Sequence, residues 1–108
     1  MNSDMYRGKV CIMIPSFNNA DSIASTLQSI QAQGEFLAQI ECVYLFDDCS
    51  GDATVTIAKA AWNAATPFEV VRRETNLGNV RNHNCAMTEL NQRADWVLIL
   101  HADAAYVV

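Results

Sequence analysis

Trp96-Val97-Leu98-Ile99-Leu100-His101-Ala102-Asp103 is the stretch on which the reading of the chain turns. Five apolar residues in a row, rich in branched and aromatic side chains, predict a strand buried on both faces of a parallel sheet. The run ends at His101 and Asp103, side chains able to bind a metal or a polar ligand. In open α/β sheets the ligand crevice lies beyond the carboxyl ends of the strands, where strand order reverses. If the other strands also end in polar residues, those residues converge there.

Working outward, they do. Lys9–Pro15 reads as a first strand, apolar and stopped by a proline that cannot donate to a ladder. Ser16-Phe17-Asn18-Asn19 is the turn after it. Asn19 or Asp21 is the expected cap of a helix that carries Ile23, Leu27 and Ile30, runs to about Gln33 and stops near Gly34. Ile40–Phe46 is a second strand, and Asp47-Asp48-Cys49-Ser50-Gly51-Asp52 a dense turn in which Gly51 can take positive φ. Asp52 is placed to cap a helix from Ala53 to about Ala64, with Ile57, Ala61 and Ala64 on one face. Phe68–Val71 is a short third strand, with Arg72 and Arg73 at its solvated end. A loop over 74–79 leads into a helix from Val80 to Gln92 whose inner face is predicted to hold Val80, Asn84, Met87 and Leu90. Trp62 and Trp96 read as core or edge packing, and Ala104–Val108 trails off without a following helix.

Strands alternating with helices imply a parallel sheet with right-handed crossovers. The expected fold is Rossmann-like, three layers α/β/α, with strand order 3-2-1-4 and the switch point between the first and fourth strands. At 108 residues and 51% apolar, the chain suffices for a single domain with a core. A net charge of −5 with scattered Lys and Arg argues against nucleic-acid or anionic-membrane partners, which need a basic patch. It leaves room for a phosphorylated ligand if a divalent cation bridges the charges. Cys11, Cys42, Cys49 and Cys85 show no C-x-x-C or zinc spacing, and the first, second and fourth fall inside predicted elements as small apolar residues. Free, mostly buried thiols, no leader-like h-region and no membrane-length apolar run point to a cytoplasmic protein.

Four segments together carry a resemblance. Val10-Cys11-Ile12-Met13-Ile14-Pro15-Ser16-Phe17-Asn18 is similar to the first strand and Pro-Thr/Ser-Tyr/Phe-Asn turn of the family 2 glycosyltransferases. Asp47-Asp48-Cys49-Ser50-Gly51-Asp52-Ala53-Thr54 resembles that family's Asp-Asp-x-Ser-x-Asp-x-Thr. Asn76-Leu77-Gly78 with Asn84 resembles its Asn-x-Gly…Asn segment, and His101-Ala102-Asp103 stands where the family has Asp-x-Asp.

The resemblance implies the nucleotide-sugar-binding half of a GT-A fold and sugar transfer, with inversion, from a nucleoside-diphosphate sugar. By position, Pro15, Ser16, Phe17 and Asn18 would line the nucleotide, with Phe17 near the base. Asp47 and Asp48 form the acidic pair, Asp48 accepting from the base edge. Gly78 and Ala102 would border the nucleotide, and Arg81 or His83 would reach base or phosphates. Asp103 would hold Mn²⁺ or Mg²⁺ bridging the diphosphate, and a hard divalent ion on carboxylate oxygen stabilises the negative charge that develops on a diphosphate leaving group. His101 replaces the first aspartate of the motif, either as a metal ligand or as a neutral hydrogen-bonding group.

No residue here matches the family's acceptor-activating base, which is expected beyond Val108, so the chain reads as truncated before the acceptor half. Its bare fourth strand is then expected to drive a homodimer or larger assembly. The alternative is a non-catalytic nucleotide-binding or interaction module on the same fold. A nucleotidyltransferase would carry a basic, glycine-rich loop after the first strand, and Ser16-Phe17-Asn18-Asn19 has no basic residue.

Overall fold

A computed structural model describes residues 8–103; residues 1–7 and Ala104–Val108 lie outside the described residues. The elements run β1 (Val10–Ser16), α1 (Ile23–Gln31), α2 (Gly34–Leu37), β2 (Cys42–Asp47), α3 (Thr54–Ala61), β3 (Phe68–Arg72), α4 (Asn79–Leu90) and β4 (Trp96–Ile99). All three strand pairings are parallel, in the order β3-β2-β1-β4. Period-two alternation splits β1 and β2 between two cores. Ile12, Ile14, Val43 and Leu45 pack with Ile23, Leu27, Ile30 and Ala58 of α1 and α3. Cys11, Met13, Cys42, Tyr44 and Phe46 pack on the opposite face with Ala86 and Leu90 of α4.

That division follows from handedness. The chain steps β1 to β2 to β3 in one direction, then returns past β1 to β4. Crossovers of one hand therefore put α1 and α3 on one face and α4 on the other. The reversal leaves a crevice between the carboxyl ends of β1 and β4, as the sequence implies.

The fourth strand departs from expectation. Trp96 is 61% exposed, and Leu98 and Ile99 are exposed as well. Among the described residues it is an edge strand paired to β1 alone, and of its side chains Val97 packs against the α4-side core.

The phase of α4 also differs. Val80 is 70% exposed, Met87 and Asn84 face solvent, and the inward positions are Asn82, Ala86 and Leu90, four residues apart. Cys85 is consequently exposed rather than buried.

Local ends shift too. Ser22 takes the N-cap position of α1, while the Asn19 carbonyl accepts the N–H groups of Ser22 and Ile23. Gly34 opens the short helix α2 instead of ending α1. Asp52 does accept the Thr54 N–H at 3.0 Å, but α3 stops at Ala61, leaving Ala64 outside the helix though still against the core. Trp62 stacks on Phe68 with centroids 5.0 Å apart, as packing.

Candidate functional site

The crevice is built from four strand ends. Behind its wall lies Asp47, 0% exposed, whose carboxylate accepts the Ser16 hydroxyl at 2.8 Å, the Ser50 hydroxyl at 2.7 Å and the Ser50 N–H at 2.9 Å. Arg72 Nε stands 3.9 Å from its Oδ2. A buried carboxylate is tolerated only when its oxygens are occupied in this way. Asp47 therefore ties the end of β1 to the turn after β2, behind the crevice wall.

The two turns are zipped together by side-chain to backbone bonds. Ser50 Oγ accepts the Asn18 N–H at 2.8 Å, and Asn18 Oδ1 accepts the Gly51 N–H at 2.8 Å. Thr54 Oγ1 accepts the Asn19 N–H at 2.9 Å, and Asp52 the Ala20 N–H at 3.2 Å. The Thr54 hydroxyl on Asp52 holds that carboxyl below its usual range. The left-handed residues are Asn18 (φ 52) and Cys49 (φ 62), not Gly51. Asparagine enters that region readily; a cysteine there is the less common case, held by the surrounding bonds. Asn19 Oδ1 accepts the Phe17 N–H at 2.9 Å, and the Phe17 ring lies 48% exposed at the crevice.

Asp48 holds the third side. Its two oxygens accept the Leu77 N–H at 2.7 Å and the Gly78 N–H at 2.9 Å, and its carbonyl accepts from Asn76 Nδ2 at 3.1 Å. Gly78 has φ 90 and ψ 155, a conformation essentially reserved for glycine, and an added Cβ would meet nothing within 4 Å. The requirement there is backbone conformation, not space. Each Asp48 oxygen keeps a further lone pair, and the residue lines the crevice.

On the fourth side the Leu100 N–H donates to Met13 O at 3.0 Å. The Ala102 carbonyl accepts Thr26 Oγ1 at 2.8 Å and Ser22 Oγ at 3.2 Å. Ala102 is buried by this double anchor, and its neighbours His101 and Asp103 are exposed.

The resulting open cleft has a volume of about 470 Å³. Of the residues expected from sequence, Pro15, Ser16, Phe17, Asp48, Gly78, Ala102 and Asp103 line it. Asn18, Asp47, Arg81, His83 and His101 do not; the first two brace the turns. Arg81 points to solvent and His83 is half-buried, because the cleft side of α4 is formed by Asn79 and Asn82. Arg72 and Arg73 also differ from a merely solvated strand end. Arg72 donates to Ser50 O at 3.1 Å, and Arg73 to Asn82 Oδ1 at 3.0 Å.

A family model described as glycosyl transferase family 2 matches residues 11–107. The chain belongs to glycosyltransferase family 2. It is 37% identical over 81 residues to the succinoglycan biosynthesis protein ExoU of Rhizobium meliloti (strain 1021), covering 73% of this chain and 22% of that protein. It superposes on S. aureus TarS 1-349 with a TM-score of 0.72 and 28% identity, over 90% of this chain and 28% of that one. TarS 1-349 is also known in complex with UDP and with UDP-GlcNAc. The mannosyltransferase PcManGT from Pyrobaculum calidifontis, in complex with GDP-Man and Mn²⁺, shares the fold at TM-score 0.77 and 24% identity, over 93% of this chain and 29% of that one. The chain thus spans between a fifth and a third of the length of these relatives.

In this glycosyltransferase-family chain, carboxylates and amides set the polar chemistry of the cleft. Its lining holds two carboxylates, Asp48 and Asp103, and four asparagines, Asn19, Asn76, Asn79 and Asn82, with no Lys, Arg or His. An anionic ligand cannot settle against two carboxylates without a counter-charge. Among the described residues no group of three or more His, Cys, Asp or Glu could hold a metal ion. The donor set fits a hard divalent ion only in the mode where one carboxylate, Asp103, contributes and a ligand's phosphate oxygens and water complete the shell. No helix among the described residues is long and apolar enough to cross a membrane.

The asparagines were not expected at the site, and Asn82 had a usable signal. Counting back by fours from Leu90 gives Ala86 and Asn82, so the buried amide of α4 is two residues before Asn84. Ser22 and Thr26, which hold Ala102, carried no local signal, since their partner lies 76 or more residues away.

Proposed function

We propose that this chain binds the donor in an inverting, divalent-metal-dependent glycosyltransferase that moves a sugar from a nucleoside-diphosphate sugar to an acceptor. The observation that carries the reading is the cleft at the switch point. It joins an exposed aromatic ring (Phe17) and a carboxylate acceptor (Asp48) to a second, exposed carboxylate (Asp103), with no basic residue between them. Phe17 packs against the base and Asp48 accepts from its edge. Pro15, Ser16, Gly78 and Ala102 form the walls. Asp103 would hold Mn²⁺ or Mg²⁺, which would supply electrostatic stabilisation of a diphosphate leaving group. His101, beside it, serves the ribose or the ion.

Inversion is taken from the family. It calls for a carboxylate that removes the acceptor's proton, and both cleft carboxylates are already committed, so that base is assigned to the acceptor-binding part of the enzyme. The alternative is a non-catalytic nucleotide-binding or interaction module on the same fold; turnover of a nucleotide sugar separates the two.

The test is thermal shift with uridine, guanosine, cytidine and thymidine diphosphates, with and without Mn²⁺. At least one is expected to stabilise the fold, and more strongly with the metal. A folded sample that none of them stabilises overturns the reading. We also propose self-association through the bare β4 edge, and a reducing, cytoplasmic setting in keeping with four free thiols.

A further inference from the structure

Asn82 is a buried amide with hydrogen-bonding capacity left over. It is 2% exposed, yet it lines the cleft. Its Oδ1 accepts Arg73 Nε at 3.0 Å and its Nδ2 donates to Phe46 O at 3.0 Å. Guanidinium can only donate and a carbonyl can only accept, so these two neighbours fix which way the amide is turned. An amide nitrogen carries two hydrogens, and among the described residues Phe46 O takes only one of them. Arg73 is itself held in place. Its Nη2 lies 2.8 Å from Glu89 Oε1, and its guanidinium sits over the Phe46 ring, 5.3 Å from the centroid.

Asn82 is also a neighbour of Asp48. The Asn82 N–H donates to Gly78 O at 2.9 Å, while the Gly78 N–H donates to Asp48 Oδ2 at 2.9 Å. One glycine thus separates a carboxylate that accepts from an amide with a spare donor.

We infer that Asn82 is a second reader of the nucleotide base, donating its spare Nδ2 hydrogen to an acceptor next to the donor that Asp48 takes. Arg73 is the positioning residue that keeps the amide turned that way. The inference rests on the donor-binding reading above. A base edge that satisfies both residues presents a donor beside an acceptor, as the N–H and C=O of uracil and guanine do. A base acceptor in the cleft gives the second amide hydrogen a partner, beside the bond that the first makes to Phe46 O.

The experiment is calorimetric titration of the chain with UDP, GDP and inorganic pyrophosphate, each with Mn²⁺. Asn82→Asp keeps the Arg73 partner, gives up the bond to Phe46 O and turns the spare donor into an acceptor. It should weaken the preferred nucleoside diphosphate by about tenfold or more, the scale of one lost buried hydrogen bond. Pyrophosphate binding should be unchanged in Asn82→Ala, which adds no charge, and weakened less than nucleoside diphosphate binding in Asn82→Asp, whose new carboxylate also opposes the anion. Arg73→Gln should give a smaller loss, roughly threefold, with the same selectivity for the nucleoside over pyrophosphate. If Asn82→Asp does not fold, Asn82→Ala carries the same comparison. Equal losses for nucleoside diphosphate and pyrophosphate, or no loss for either, overturn the inference and leave donor binding standing. A wild-type chain that binds neither UDP nor GDP overturns the donor-binding reading, and this inference with it.

Discussion

β2 and β4 carry one sequence signature, an apolar run followed by acidic residues, and the structure uses them in opposite ways. β2 lies between β1 and β3, all six of its residues are buried, and Asp47 and Asp48 beyond its core are buried with it. Among the described residues β4 pairs with β1 alone, exposes most of its apolar side chains, and leads to an exposed Asp103. Turns flanking a central strand are surrounded by backbone N–H groups and hydroxyls, and those groups consume the carboxylates. At the edge no strand among the described residues supplies such donors on the far side, and Asp103 stands exposed. Place in the sheet, more than local sequence, decides whether an acid after a strand braces the fold or is available to a ligand.

The sharpest way to break this contrast is to remove each acid in turn. Asp47→Ala strands the buried Ser16 and Ser50 hydroxyls and the Ser50 N–H, and should cost about 3–5 kcal/mol. That is a large share of the stability expected of a domain this size. Asp103→Ala should leave stability within about 0.5 kcal/mol. Urea denaturation of both variants checks the pair, and equal losses would mean that Asp103 is also a structural acid. The strands themselves should differ next. Leu45→Ala, in the core between α1, α3 and β2, should cost about 2–5 kcal/mol. Leu98→Ala on β4 should cost less than about 1 kcal/mol by the same measurement.

Much of this was legible in the chain. Alternating strands and helices implied strand order 3-2-1-4, and the polar strand ends implied where the cleft lies. The Asp47-Asp48 pair was legible as a feature but not as a division of labour. Ser16, Ser50, Leu77 and Gly78 reach the two carboxylates from separate loops, and no local pattern sorts them. The α4 face was missed because Val80 and Met87, apolar but exposed, mimic an inner stripe, whereas the inward set contains an asparagine and an alanine. Five apolar residues at 96–100 fix a strand, but not whether anything lies over it.

The functional side of the contrast is Asp103. Its removal should lower affinity for the preferred nucleoside diphosphate in Mn²⁺ by at least about tenfold, or roughly 1.4 kcal/mol, and abolish the difference between titrations with and without metal. Asp48→Ala should weaken binding in both conditions and also loosen the Leu77–Gly78 turn. A metal effect that survives in Asp103→Ala would remove the basis for treating the two strand ends differently.

The smallest effect concerns the two sheet edges. β3 is an edge as well, but it carries Glu69 and Arg72, both exposed, whereas β4 offers Trp96, Leu98 and Ile99 with no charge. Charged side chains on an edge strand oppose pairing with another chain, and an uncharged apolar edge invites it. Leu98→Lys should therefore shift the chain toward monomer in concentration-dependent light scattering, by a few-fold in the association constant, with stability changed by no more than about 0.5 kcal/mol. Glu69→Leu makes β3 resemble β4 and should shift it the opposite way. If Leu98→Lys leaves association unchanged while Glu69→Leu raises it, β3 is the edge that matters and exposure at β4 has no bearing on assembly.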